Sequence, residues 1–162
     1  MKIKLLGKNL DELKRLVADE GLPGFTAKQI AQWLYVKKVR SIDEMTNLSK
    51  IARAKLSEKY EVGVIPYAGL QVSSDGTKKY LFQVGEQCIE SVYIPDNDRA
   101  TLCVSTQAGC KMGCKFCMTG TLGFHGHLMA ADILNQIFSI PDSDKLTNIV
   151  YMGEGEPMDN LN

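Results

Sequence analysis

Hydrophobic positions change rhythm twice along this chain, and the changes divide it into three stretches. From Leu10 to Leu56 the apolar residues recur at three- and four-residue spacing, which predicts amphipathic helices. Asn9 and Glu12 stand at capping-box spacing ahead of a stripe of Leu10, Leu13 and Val17, and Gly21 supplies the stop. After Leu22-Pro23-Gly24, the pair Thr26 and Gln29 repeats the start signal for a second helix with Ile30, Trp33 and Leu34 inward. Ser41 and Glu44 open a further helix whose stripe is Leu48, Ile51, Ala52 and Leu56. Trp33 lies on an apolar stripe and is expected to anchor the core of this module.

Near Val62-Gly63-Val64 the pattern turns to strand chemistry. Asp75-Gly76 reads as a two-residue hairpin between Leu70-Gln71-Val72 and Tyr80-Leu81-Phe82-Gln83-Val84. Gly85-Glu86 marks the next turn, into Cys88-Ile89-Glu90-Ser91-Val92-Tyr93-Ile94, which Pro95 is expected to stop. This is an antiparallel meander, with Cys88 expected to pack as a small hydrophobe.

The last third differs again. Thr101-Leu102-Cys103-Val104-Ser105 is a short strand, and a stretch with Gly120, Gly123 and Gly126 follows. A helix over 128–138 carries Ile133, Leu134, Ile137 and Phe138, Pro141 and Asp142 break it, and Asn148-Ile149-Val150-Tyr151-Met152 suits a buried strand. Strand, helix, strand of this length predicts a β-α-β unit with its two strands parallel. Functional groups in such architectures gather at the carboxyl ends of the strands. Two segments with chemistry fall there: a cysteine-rich loop, and Gly153-Glu154-Gly155-Glu156-Pro157.

Composition changes this picture little. The 44% hydrophobic and 23% charged residues are ordinary for a globular domain, with a formal net charge of zero. No apolar run approaches the ~20 residues that span a bilayer, and the first seven residues lack the apolar core of a secretory signal. Five cysteines, three of them bunched, do not make a disulfide framework, so a reducing, cytoplasmic setting is expected. Charge is uneven: residues 1–63 hold thirteen Lys or Arg against eight Asp or Glu, and residues 64–162 hold six against eleven. A basic front module suits contact with a polyanion such as RNA, although solvated helix faces produce the same count.

Cys110, Cys114 and Cys117 follow the spacing Cys-x3-Cys-x2-Cys. Three thiolates hold three irons of a [4Fe–4S] cluster and leave the fourth iron for a small molecule, normally S-adenosylmethionine. The competing reading is a structural zinc site in a non-catalytic RNA-binding module, with Cys103, His125 or His127 as fourth ligand. Zinc sites usually use two paired arms, and here the histidines are only two residues apart, which favours the cluster.

These residues carry a resemblance. Arg99-Ala100-Thr101-Leu102-Cys103-Val104-Ser105 running into Gly109-Cys110, then Cys114-Lys115-Phe116-Cys117 and Gly155-Glu156-Pro157, resemble the radical SAM adenosine methyltransferases of the RlmN/Cfr type. The basic front, with Trp33 and Asp43-Glu44-Met45-Thr46, is similar to that family's accessory domain. The RlmN branch fits better than Cfr, and the likeness is to the N-terminal half.

The resemblance implies an activity: methylation of adenine at carbon 2 in 23S rRNA, and also in tRNA, with a flavodoxin-like electron donor and no membrane. In the family one S-adenosylmethionine methylates a cysteine near the C-terminus. A second is cleaved at the cluster, and the resulting radical activates that methyl group for addition to the base. A disulfide then resolves the protein–RNA crosslink. Carried onto this chain, Cys110, Cys114 and Cys117 would ligate the cluster. Phe116 would lie against the cofactor's adenine or shield the cluster from water. Gly155 and Glu156 would receive the cofactor's amino group, Cys103 would be the resolving cysteine, and Glu90 the proton acceptor near the target base.

Two departures stand out. Glu154 occupies a position where the family usually has Met, so its carboxylate either alters cofactor binding or points to solvent. The methyl-carrying cysteine has no counterpart in the 162 residues. The expected fold is therefore α/β: a helical domain over 1–63, then over 64–162 a short antiparallel meander and the first β-α-β units of a partial (β/α) radical SAM barrel. The chain is read as a truncated piece of something about twice as long, without methyl transfer of its own.

Overall fold

Asn9 Oδ1 accepts from the N–H groups of Asp11 and Glu12 at 3.0 and 2.9 Å, and Glu12 Oε2 accepts from Asn9 N–H at 2.7 Å. This closed capping box starts the first helix where the spacing placed it. The computed structural model describes residues 2–161. It divides into two units, Met1–Val64 and Ile65–Asn162.

The first unit packs α1 (Leu10–Asp19), α2 (Thr26–Tyr35) and α3 (Lys50–Lys59) around Leu13, Ile30, Leu34, Met45 and Leu56. Two-residue strands β1 (Ile3–Lys4) and β2 (Tyr60–Glu61) pair in parallel, too short to leave an alternation in the sequence. Thr26 is not the cap of α2: Phe25 holds that position without a side-chain bond, and Thr26 is buried in the first turn. The Ser41–Glu44 box forms, but it starts only a 3-10 turn over Ile42–Glu44. The helix begins afresh at Ser49, whose Oγ accepts from Ala52 N–H at 3.1 Å. That restart resets the helical phase, so Ala52 and Leu56 face inward while Ile51, 100° away from Ala52, is 82% exposed. Trp33 is only half-buried. Its indole N–H donates to Asn47 Oδ1 at 2.5 Å and the Lys37 ammonium lies 3.9 Å from its ring centroid, so it sits at the edge of the core.

In the second unit β3 (Gly69–Val72), β4 (Lys78–Val84), β5 (Gln87–Asp96), β6 (Arg99–Cys103) and β9 (Asn148–Val150) form one sheet in the order β3-β4-β5-β6-β9. Between β6 and β9 the chain adds β7 (Gln107–Gly109), α4 (Met118–Thr121), β8 (Phe124–His127) and α5 (Ala130–Phe138). Strand β6 pairs antiparallel to β5 and parallel to β9, so the meander and the β-α-β unit are one continuous sheet. Among the described residues parallel pairing in this sheet is confined to β6 and β9.

The turns correct the sequence reading in two places. Ser73 N–H donates to Thr77 O at 2.9 Å, so Asp75-Gly76 belongs to a three-residue loop, with Gly76 at φ 84°. Pro95 does not end β5, which continues to Asp96 before a two-residue turn at Asn97-Asp98. Pairing with β4 stops at Tyr93, which leaves Pro95 one side without a partner strand, where a missing N–H costs nothing. Gly85-Glu86 does form a two-residue turn between Val84 and Gln87.

One face of the sheet carries Tyr80, Phe82, Ile89, Tyr93 and Leu102 into a core with Leu128 and Ile140, against which Ile133 and Ile137 of α5 pack. The most buried side chains of α5 are nevertheless polar, Asn135 and Gln136. The opposite face holds Cys88, which is exposed and donates to Gln83 Oε1 at 3.2 Å instead of packing as a hydrophobe. Alternation along β5 puts Cys88 on the side away from α5. The β9 run is also less buried than expected, with Ile149 42% and Met152 79% exposed, because β9 is the sheet's edge strand.

Candidate active site

Past the carboxyl ends of β6 and β9 the two chains stay in contact. Val104 N–H donates to Val150 O at 2.9 Å and Gly153 N–H to Val104 O at 3.1 Å. Thr106 and Gln107 then both donate from their backbone N–H to Glu154 O, at 2.9 and 3.2 Å. Gln136, with none of its surface exposed, fixes the segment between: its Oε1 accepts from Ser105 N–H and Ser91 Oγ, and its Nε2 donates to Ser105 O. Buried Gln107 does the same for the second loop. Its Oε1 accepts from Glu156 N–H at 3.0 Å and its Nε2 donates to Asp159 Oδ2 at 2.8 Å. Gly155 lies against it at φ 95°, where a Cβ would come within 2.5 Å of Gln107 Cβ.

The three-cysteine segment is the excursion between β7 and β8. Gly109 has φ 69° and its Cβ position is blocked by Gly123 O at 1.9 Å, so only glycine can begin the loop. Cys110 N–H then donates to Gly123 O at 2.9 Å, and Cys117 N–H to Cys114 O at 3.0 Å. All five cysteines are free thiols. The backbone N–H of Gly120, aided by Thr119, pulls the Cys117 thiol below its ordinary pKa and favours the thiolate. Lys111 pairs with Asp159 at 2.8 Å, linking this loop to the one after β9. Phe116 is 94% exposed and covers nothing.

Among the described residues no three His, Cys, Asp or Glu side chains converge to hold a metal ion. The loop thus presents its three thiols without a preformed cage. The donor set nevertheless fits an iron–sulfur cluster: thiols only, on one short loop, with backbone N–H groups aimed at Cys117. Each histidine of the zinc alternative has one ring nitrogen within hydrogen-bond reach of a protein atom. His125 Nε2 lies 3.1 Å from Leu122 O, and His127 Nδ1 lies 3.1 Å from Gln107 Nε2.

Register brings the other predicted residues together. Leu81 faces Glu90 and Val92 faces Cys103, so Glu90, Val92 and Cys103 share the face of the sheet opposite the core. Glu90 Oε1 pairs with Lys79 Nζ at 3.0 Å, beside a shallow hollow of about 230 Å³ between Gly69, Gln71, Lys79, Leu81 and Glu90. Burial pushes the Cys103 thiol above its ordinary pKa, against a smaller opposing effect from the backbone N–H of Met152. Glu156, expected to receive an amino group, here accepts from Met158 N–H at 3.0 Å and caps a 3-10 turn.

Glu154 points inward. Its Oε1 accepts from Glu90 N–H at 3.1 Å and its Oε2 from Gly109 N–H at 3.2 Å. Burial raises its pKa, partly offset by those two N–H groups, and the Glu90 charge adds to the rise. Neither the network role of Glu154 nor those of Gln107, Gln136 and Asp159 was legible beforehand. Nothing in the local sequence marks them: Glu154 lies between two glycines, Gln136 beside Asn135, Gln107 beside Thr106 and Asp159 beside Asn160.

Comparison with known proteins favours the methyltransferase reading. Residues 3–62 match the family model described as the ribosomal RNA large subunit methyltransferase N-terminal domain. A probable dual-specificity RNA methyltransferase RlmN of Phocaeicola vulgatus is 60% identical over 161 residues, covering 99% of this chain and 46% of that protein. The chain resembles the N-terminal part of RlmN-type proteins. An RlmN of Geotalea uraniireducens is 44% identical over 99% of this chain and 47% of its own length. A crystal structure of a radical SAM methyltransferase from Sphaerobacter thermophilus superposes with a TM-score of 0.87 at 36% identity, covering 98% of this chain and 49% of that one. The chain thus spans about half the length of the RlmN relatives it matches, corresponding to their N-terminal part. Those relatives are named RNA methyltransferases, and the zinc module has no comparable support. Among the described residues no helix is long and apolar enough to cross a membrane.

Proposed function

We propose that this chain is the cofactor-binding half of a radical S-adenosylmethionine methyltransferase that modifies carbon 2 of adenosine in 23S rRNA and tRNA. The observation that carries the reading is the meeting of two loops beyond the parallel pair β6 and β9: one bears three free thiols, the other Gly155 and Glu156. Fold analogy alone would not support it; the donor set at the strand ends does.

In this reading Cys110, Cys114 and Cys117 hold a [4Fe–4S] cluster as thiolates. When bound, the cluster supplies one electron for cleavage of the sulfonium, yielding the radical that ordinary polar chemistry at an unreactive carbon lacks. The chain's own residues position and protect. Glu156 and the carbonyls near Gly155 take the cofactor's ammonium, a charge-assisted contact for which the carboxylate gives up its bond to Met158 N–H. Phe116, exposed as it stands, is available to stack on the cofactor's adenine. Glu90 accepts the proton lost from the base, and Cys103 waits as a protonated thiol on the same face to resolve the crosslink. The basic helical unit contacts RNA phosphates. The electron donor is flavodoxin-like, and no residue of the 162 is assigned the methyl-carrying role.

The test is anaerobic reconstitution with iron and sulfide. Wild type should become brown with about four irons per chain, and C110A, C114A and C117A should each lose most of it. One zinc per chain in place of iron would sink the reading.

A further inference from the structure

Strand β6 pairs with β5 only as far back as Cys103 opposite Val92, then leaves towards the thiol loop. Glu90, two residues further along β5, is beyond that pairing, yet its backbone is satisfied on the vacated side. Ser105 Oγ donates to Glu90 O at 2.6 Å, and the Glu154 carboxylate accepts from Glu90 N–H at 3.1 Å. Side chains thus continue the ladder where the strand has gone. The same carboxylate takes Gly109 N–H with its second oxygen at 3.2 Å, and Gly109 immediately precedes Cys110. Glu154 N–H in turn donates to Ser105 Oγ at 2.9 Å.

We propose that Glu154 is a positioning residue that ties the root of the thiol loop to the strand carrying Glu90, fixing the cofactor end of the site relative to the base end. Among the described residues, the buried amides Gln136 and Gln107 each serve other atoms. Both carboxylate oxygens are needed, because the two donors belong to different elements. The consequence for chemistry rests on the cluster reading above; the tie itself does not.

The test compares wild type with E154M, which keeps the length but offers no oxygen, and E154Q, which keeps one acceptor oxygen. Backbone amide exchange is followed by NMR on iron-free protein. In E154M the Glu90 and Gly109 amides should exchange about tenfold faster or more, with Tyr80 and Phe82 unchanged. In E154Q one of the two amides should stay protected. In anaerobically reconstituted protein E154M should keep its iron, while the change that S-adenosylmethionine makes in the reduced cluster's EPR spectrum weakens. Equal protection of both amides in E154M, or an unaltered EPR response at full iron content, overturns the proposal. If E154M loosens the whole sheet, E154Q decides: loss at one amide supports the tie and uniform loss overturns it. A wild type that takes up no iron defeats the cluster reading by itself, and amide exchange then decides on Glu154.

Discussion

Glu90 and Cys103 rise from the same face of one sheet on neighbouring strands, because Cys103 pairs with Val92 two residues along β5 from Glu90. The two residues assigned to proton acceptance and crosslink resolution therefore look into the same space. That space lies opposite the α5-covered core, and the thiol loop begins six residues after Cys103, at Gly109.

Burial disfavours the Cys103 thiolate, so its alkylation should lag behind that of a model thiol. The folded-state pKa is raised, hence the thiolate fraction at any given pH falls and the rate–pH profile moves to higher pH. Mass-spectrometric alkylation across pH 6–10 or so measures this. Reaction of Cys103 at the pH of an unhindered thiol would contradict it.

Gly155→Ala should damage the site without touching a catalytic group. A methyl at φ 95° is strained and would press on Gln107, which holds Glu156 N–H and Asp159. We expect about 2 kcal/mol of destabilisation of the second unit, read by chemical denaturation, together with weaker S-adenosylmethionine binding after reconstitution.

Asp142 is buried and paired with Lys78 at 2.5 Å and Lys145 at 3.0 Å. The Lys78 hydrogen bond chiefly holds its carboxyl below the ordinary pKa, and burial opposes it. With the folded value depressed, the stabilisation is complete above the unfolded carboxylate range and fades as pH falls through the folded value. Asp142→Asn should cost about 2 kcal/mol at pH 7, less than a fully buried pair because both lysines reach water. The difference from wild type should shrink below pH ~4. A pH-independent difference would show that the charge is not what Asp142 contributes.

Gln136→Leu should cost about 3 kcal/mol although it enlarges the apolar surface of α5. The change strands Ser105 N–H, Ser105 O and Ser91 Oγ, all of which Gln136 now serves. Thermal unfolding measures the loss. A stabilised variant would mean water replaces the amide at no cost.

Much of the architecture could be read in advance where the determinant is local. The Asn9–Glu12 box, the Gly85-Glu86 turn and the parallel strands flanking α5 depend on neighbouring residues or on a connection of fixed length. Ile51, Pro95 and Cys88 were misread because their exposure or pairing depends on where a helix restarts, where a neighbouring strand stops, and which face a helix covers. None of those facts is local.

The same division holds for the site. The amino-acid order alone determined the thiol spacing, the glycines at forced turns and the uneven charge, because these are properties of residues a few bonds apart. Only the tertiary structure decided that Glu154 faces inward, bonded to Glu90 and Gly109 from 64 and 45 positions away. A carboxylate's partners are chosen by which backbone N–H groups the strands leave unpaired, and that is settled only when the sheet has formed.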